Sequence, residues 1–132
     1  MNILKALFVM FLFLHAFTAS GQESIVTPLL QKDLRDIPEP VGLMVTVEYP
    51  PGASSSAHRH NAHTYVYVLE GSVIMQVEGG EPQILGPGDT FYETPDDIHS
   101  VSKNASSTES ARILVFLVKR KDAPASVPSP DS

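Results

Sequence analysis

Cysteine is absent from the 132-residue chain. Disulfides and thiolate metal sites are thereby excluded, and any metal must sit on His, Asp, Glu or water. Basic charge is scarce: 9 Lys and Arg stand against 15 Asp and Glu, for a net charge of −6. That balance lacks the basic footprint of a nucleic-acid binder. No stretch keeps a convincing helical period over three turns. Nor is there an apolar run of the ~20 residues that a membrane span requires. The longest run, ALFVMFLFLHAF at 6–17, is shorter than that and is broken by His15.

What the first residues do have is the layout of a secretory signal peptide. MNILK supplies a positive start, the apolar run follows, and TASGQE offers small residues before a polar beginning. Cleavage after Gly21 or Ser20 is expected, leaving an exported chain for the periplasm or the medium. No cysteine follows the run to carry a lipid anchor. Residues 22–40 read as an N-terminal arm with room for one short helical or strand piece, polar and marked by Pro28, Pro38 and Pro40. The last residues, 121–132, are rich in Pro, Ser and Ala and are expected to be disordered. Between them, 41–120 reads as one domain, 42% of the whole chain being hydrophobic and 18% charged.

That middle part is β throughout. VGLMVTVEY (41–49), TYVYVLE (64–70), SVIMQVE (72–78), PQIL (82–85), TFYE (90–93), HSVS (99–102) and ARILVFLV (111–118) are short and rich in β-branched and aromatic residues. Turn signals such as YPPGASSS, EGS, EGGEP, LGPGD, TPDD and KNASSTES separate them. Many short strands at this spacing imply an all-β sandwich or small barrel.

Three of the five histidines crowd into HRHNAH at 58–63. His58 and His60, two apart, share a face of a strand. If that face lines a barrel, two neutral imidazoles converge on one spot, a good start for a divalent metal. His99, after the TPDD turn, can be swung back over the same spot.

This arrangement resembles the cupin superfamily. The first cupin motif runs glycine, five residues, His-x-His, three or four residues, Glu, six residues, glycine. Gly52, ASSSA, His58-Arg59-His60, NAH, Thr64, YVYVLE and Gly71 follow that spacing. In the second motif, Gly88, DTFYE, Thr94-Pro95-Asp96, DI and His99 follow the pattern, with Asn104 one residue late. The two motifs cover 52–104. The resemblance implies a small double-stranded β-helix, the cupin jelly-roll barrel. It further implies one divalent metal ion (Fe, Mn, Ni, Zn or Cu) on His58, His60 and His99. A small organic substrate inside the barrel, dioxygenase-type oxidation and a homodimer are implied too. Lyases and isomerases use the same scaffold, and a non-catalytic ligand- or metal-binding barrel is the alternative.

Two departures matter. Thr64 stands where the cupin pattern places an acid ligand, and Thr94 and Asp96 replace the usual Pro and Gly. Glu93 is the candidate to supply the missing acid, as ligand or as catalytic acid, if it turns inward. His63 is the other candidate ligand. Strand alternation sends it to the opposite face, which favours a place behind the ligands or at the entrance. Tyr65 and Tyr67 read as packing residues, Arg59 as a surface group, and Phe91 and Tyr92 as wall residues that cannot both face inward.

Overall fold

The computed structural model describes residues 22–33 and 39–129. The signal-peptide expectation falls on 1–21, outside the described residues. Among the described residues there are eleven strands and no helix: β1 (Ile25–Asp33), β2 (Pro40–Tyr49), β3 (Ser54–Ser55), β4 (His58–Arg59), β5 (Ala62–Glu70), β6 (Val73–Val77), β7 (Gln83–Leu85), β8 (Thr90–Glu93), β9 (His99–Asn104), β10 (Ala111–Arg120) and β11 (Val127–Pro128).

Alternation explains why these segments become half-buried strands. In β2, Val41, Leu43, Val45, Val47 and Tyr49 are buried, and in β10 the same holds for Ala111, Ile113, Val115 and Leu117. With period 2, each strand turns this set to one face and leaves the other outside. The strands form two antiparallel sheets. One has five strands in the order β1-β2-β10-β5-β8. The other runs β11-β4-β9-β6-β7, with β3 also paired to β9. The inner faces of both sheets supply one hydrophobic core, in which Val68, Val73 and Met75 are completely buried.

Two turns show why particular residues are needed. Gly71, between β5 and β6, has φ +70°, and a Cβ there would lie within 2.4 Å of the Ser110 carbonyl oxygen. Only glycine meets both conditions. Asn104 is buried, and its Nδ2 donates to the carbonyls of Tyr49, Pro50 and Glu109 at 2.7–3.1 Å. Its Oδ1 accepts from Ser106 N. This side chain ties three separate segments together where backbone carbonyls would otherwise lack donors.

Both ends of the chain carry strands of their own. The arm foreseen over 22–40 contains β1, zipped along β2 from Ile25↔Glu48 to Asp33↔Val41. The tail foreseen as disordered is ordered over 121–129. Its β11 pairs with β4, Val127 facing Arg59 and Pro128 facing His58. A short, polar, proline-bearing segment lacks local order of its own, but here the free edge of β4 offers it backbone partners.

Candidate metal centre

The centre is assembled from β4, β5, β8 and β9 beside the ordered tail. β4 carries His58, which lies directly opposite His99 of β9. His60 follows the end of β4, and Asn61, with φ 48°, turns the chain into β5. Asn tolerates this left-handed conformation better than most residues. His99 owes its direction to a bulge. Gln76 pairs with Val101 but Val77 pairs with His99, so β9 carries one extra residue there. Strict alternation from the buried Ser102 would turn Ser100 inward. The bulge turns His99 inward instead, as bulges beside functional sites often re-aim a side chain. Phe91 packs over its ring with centroids 5.7 Å apart.

The fold therefore brings His58, His60 and His99 together, with ligating nitrogens all within 4.8 Å of one another. The hydrogen bonds determine which nitrogens are free. His58 Nδ1 donates to the Ser56 carbonyl at 2.7 Å, and His60 Nδ1 donates to the Ala125 carbonyl at 2.8 Å. A carbonyl can only accept, so both rings carry their proton on Nδ1. Burial holds the His58 pKa below its ordinary 6.5. The hydrogen bond to Ser56 opposes that shift, while His60 and His99 reinforce it. The two Nε2 atoms then face each other at 3.2 Å. With neutral rings that is lone pair against lone pair, an arrangement that only a proton or a cation relieves. Two nitrogens each ~2.0–2.1 Å from one ion at tetrahedral angles would lie about 3.3 Å apart.

Glu93 completes the group. It is 1% exposed. Its Oε1 lies 3.2 Å from His99 Nδ1 and its Oε2 lies 3.9 Å from His60 Nε2. The closer approach is out of line for a hydrogen bond. Both carboxyl oxygens and both His99 nitrogens are buried without a hydrogen-bond partner. Leaving buried polar groups unmatched costs about 1–3 kcal/mol each. A cation among the three histidines would engage the carboxyl and one His99 nitrogen, so the donor set fits a divalent metal. Imidazole with one carboxylate suits Fe, Zn, Ni, Cu or Mn.

Thr64 and Glu93 are direct partners across β5 and β8. Side chains so paired are ~5 Å apart at Cβ and share a face. The carboxyl missing from position 64 thus enters the same space from the neighbouring strand. Thr64 itself is fully buried, with Oγ1 3.5 Å from the Ala62 carbonyl.

His63 is corrected as a ligand candidate. It stands on the outer face of β5, exposed, with Nδ1 2.7 Å from the Tyr92 hydroxyl and its ring stacked on that tyrosine. No bulge rotates β5 between Ala62 and Thr64, so adjacent residues point to opposite faces. Arg59 is exposed as well.

The centre opens into a cavity of about 380 Å³, at the small end of ligand pockets. Val45, Val47, Val66, Ile113 and Val115 give it aliphatic walls, and among the described residues no lysine or arginine lines it. The wall also contains a polar pair, Tyr49 Oη and Ser102 Oγ, 2.6 Å apart. Burial raises the Tyr49 pKa above its ordinary 10.0, while hydrogen bonds to Ser102 and Ser55 pull the other way. Tyr49, Ser102 and the Ala125 carbonyl were not singled out from the sequence. Tyr49 shares its strand parity with Val45 and Val47 and could have been found that way. Nothing local marks Ala125.

The sequence model of the cupin domain matches residues 45–117. The chain belongs to the cupin family. It is similar to the pectin degradation protein KdgF of Dickeya dadantii (strain 3937), 34% identical over 83 residues, covering 61% of this cupin and 71% of the relative. Among solved structures, it matches the DMSP lyase DddQ of Ruegeria pomeroyi DSS-3 with TM-score 0.58 and 24% identity over 67% of this chain. This cupin spans 43% of the lyase's length. It matches an oxalate oxidase with TM-score 0.62 and 22% identity, over 81% of this chain and 55% of that one. At such identities these two likenesses speak for the fold.

Proposed function

We propose that this cupin is a metal-dependent enzyme that converts one small, oxygen-bearing organic molecule inside its barrel. The observation that carries this reading is the cluster of His58, His60, His99 and Glu93, in which the buried Glu93 carboxyl and the His99 ring lack any hydrogen-bond partner. A bound metal of this kind supplies Lewis acidity and open coordination positions for a substrate oxygen or for dioxygen. The chain's own groups do the rest. The aliphatic walls exclude water, and the Tyr49–Ser102 pair offers a hydroxyl donor. Glu93 is placed to hold a proton or a ligand position beside the three imidazoles. With neutral histidines and an ionised Glu93, a dication would leave one net positive charge, and no basic side chain among the described residues lines the cavity. A neutral or singly anionic substrate fits that balance.

Dioxygenase-type oxidation is the reaction class that the cupin resemblance favours. A lyase- or isomerase-type conversion of a sugar-acid fragment is the second reading, favoured by the similarity to a protein of pectin degradation. A barrel that binds its ligand without turnover is the non-catalytic alternative. Elemental analysis of natively purified protein tests the metal. Turnover of small acids and sugar acids is then followed with and without oxygen. Oxygen consumed in step with product supports the oxidase reading. Product formed equally well without oxygen supports the lyase reading, and ligand binding without product supports the alternative. Protein that carries no stoichiometric metal overturns the proposal. Export and pairing into a homodimer belong to the same proposal and are checked by N-terminal sequencing and sedimentation.

A further inference from the structure

The carboxy-terminal strap, 121–129, is attached along its length, beginning with Lys121 N donating to the Glu39 carbonyl at 3.1 Å. At its base, Lys119 Nζ donates to the carbonyls of Arg120 and Ala123 at 3.1 and 2.7 Å. In its middle, the Ala125 carbonyl accepts from His60 Nδ1. At its tip, β11 lies along β4, and Ser129 N donates to the Ala57 carbonyl at 3.1 Å. Ala125, Ser126 and Pro128 also line the cavity. Of the two Nδ1 anchors, the one for His58 comes from Ser56, two residues away. The one for His60 comes from the far end of the chain.

We infer that the strap is a positioning element of the metal centre: the Ala125 carbonyl sets the tautomer and direction of His60, and β11 steadies the two-residue strand that presents His58. A ligand histidine needs its other nitrogen held, so that the correct lone pair faces the metal. Asn61, with φ 48°, turns the chain just beyond His60, and on its Nδ1 side the ring is held by the Ala125 carbonyl of the strap. The inference rests on the metal reading for its consequence, but its geometry concerns this chain alone.

The test uses ¹⁵N NMR of the metal-free, full-length protein. His58 and His60 should both appear as the Nδ1–H tautomer. In a chain ending at Pro124, His58 should keep that tautomer through Ser56, while His60 should pass to Nε2–H or to a mixture. Zn²⁺ affinity, measured by chelator competition, should fall by ~10–100-fold, the usual cost of losing a ligand's supporting partner. Ser129→Pro, which removes one backbone donor at the tip, should move both readouts in the same direction by less. His60 found as Nε2–H in the intact metal-free chain would overturn the inference, whatever the fate of the truncated one. So would a folded truncated chain with unchanged tautomer and Zn²⁺ affinity. A tautomer switch on truncation, together with an intact chain that binds no Zn²⁺, would uphold the strap's role and defeat the metal reading instead.

Discussion

Two neighbouring registers of the same strand pair have opposite characters. Thr64 and Glu93 face each other on the inner side of β5 and β8, at 0% and 1% exposure. One residue along, Tyr65 and Tyr92 face each other on the outer side, at 49% and 46%. The usual sheet places apolar groups inside and polar groups outside. Here the inner pair is a hydroxyl and a carboxyl, and the outer pair is two aromatic rings 5.1 Å apart. The outer pair satisfies itself: the Tyr92 hydroxyl has His63 as a partner. The inner pair leaves the Glu93 oxygens unmatched. A buried polar group without a protein partner breaks the local rules of folding, and such breaks concentrate at functional positions.

The largest effect is expected from Glu93→Gln. Removing a group in the cluster should weaken metal binding by more than the ~10–100-fold that loss of a supporting partner causes, as isothermal titration with Zn²⁺ would show. Glu93→Leu sharpens the contrast through stability. In the metal-free protein it removes an unmatched buried carboxyl and should raise the unfolding free energy by about 1–3 kcal/mol, while the metal-dependent gain in melting temperature disappears. A metal-free Glu93→Leu protein that melts lower than the parent would contradict the assignment.

A swap across the strand pair comes next. Glu93→Thr alone should lose metal. Combined with Thr64→Glu, it returns the carboxyl to the same space from the other strand and should recover a substantial part of the affinity. Failure of the double variant to bind better than Glu93→Thr would show that the strand of origin matters, not only the space.

Smaller again is Tyr49→Phe, which removes the hydrogen bond to Ser102 and should cost about 1 kcal/mol in urea unfolding. Its pH signature has a definite sign. Folded Tyr49 keeps its proton above 10.0, whereas the unfolded chain releases it near that value. The unfolded state therefore binds fewer protons there, and this contribution to stability, complete below pH 10, is lost as pH rises further. Tyr49→Phe should flatten that alkaline limb.

The smallest effects belong to the outer register. His63→Gln and Tyr92→Phe should change metal affinity by less than about threefold and stability by about 0.5 kcal/mol or less, as surface substitutions do. A loss from His63→Gln that rivals Glu93→Gln would reverse the inner and outer roles.

Much of this was legible in the chain itself. The seven strands read from alternation are β2, β5, β6, β7, β8, β9 and β10, with ends displaced by two residues at most. Motif spacing led to the same three histidines that the fold gathers. Side-chain parity along β5 already placed His63 and Thr64 on opposite faces, and along β8 it allowed only one of Phe91 and Tyr92 to face inward. These are local properties: the two-residue period of a strand and the conformational needs of Gly71 act within a few bonds. What alternation did not show were β1, the short β3 and β4, and β11, whose sequences carry little pattern.

The tertiary structure decided the rest because it depends on partners far apart in the chain. Whether Glu93 could stand in for position 64 depended on the register between β5 and β8, which pairs residues 29 positions apart in the direct alignment Thr64↔Glu93. Whether His99 or Ser100 turned inward depended on a bulge defined only against β6. Whether the final segment was loose or ordered depended on the open edge of β4 and on a histidine nitrogen 65 positions before Ala125. Backbone hydrogen bonds between distant segments have no signature in the composition of either one. They exist only when the fold brings a donor and an acceptor within about 3 Å of each other, and here they determine which way the ligands point.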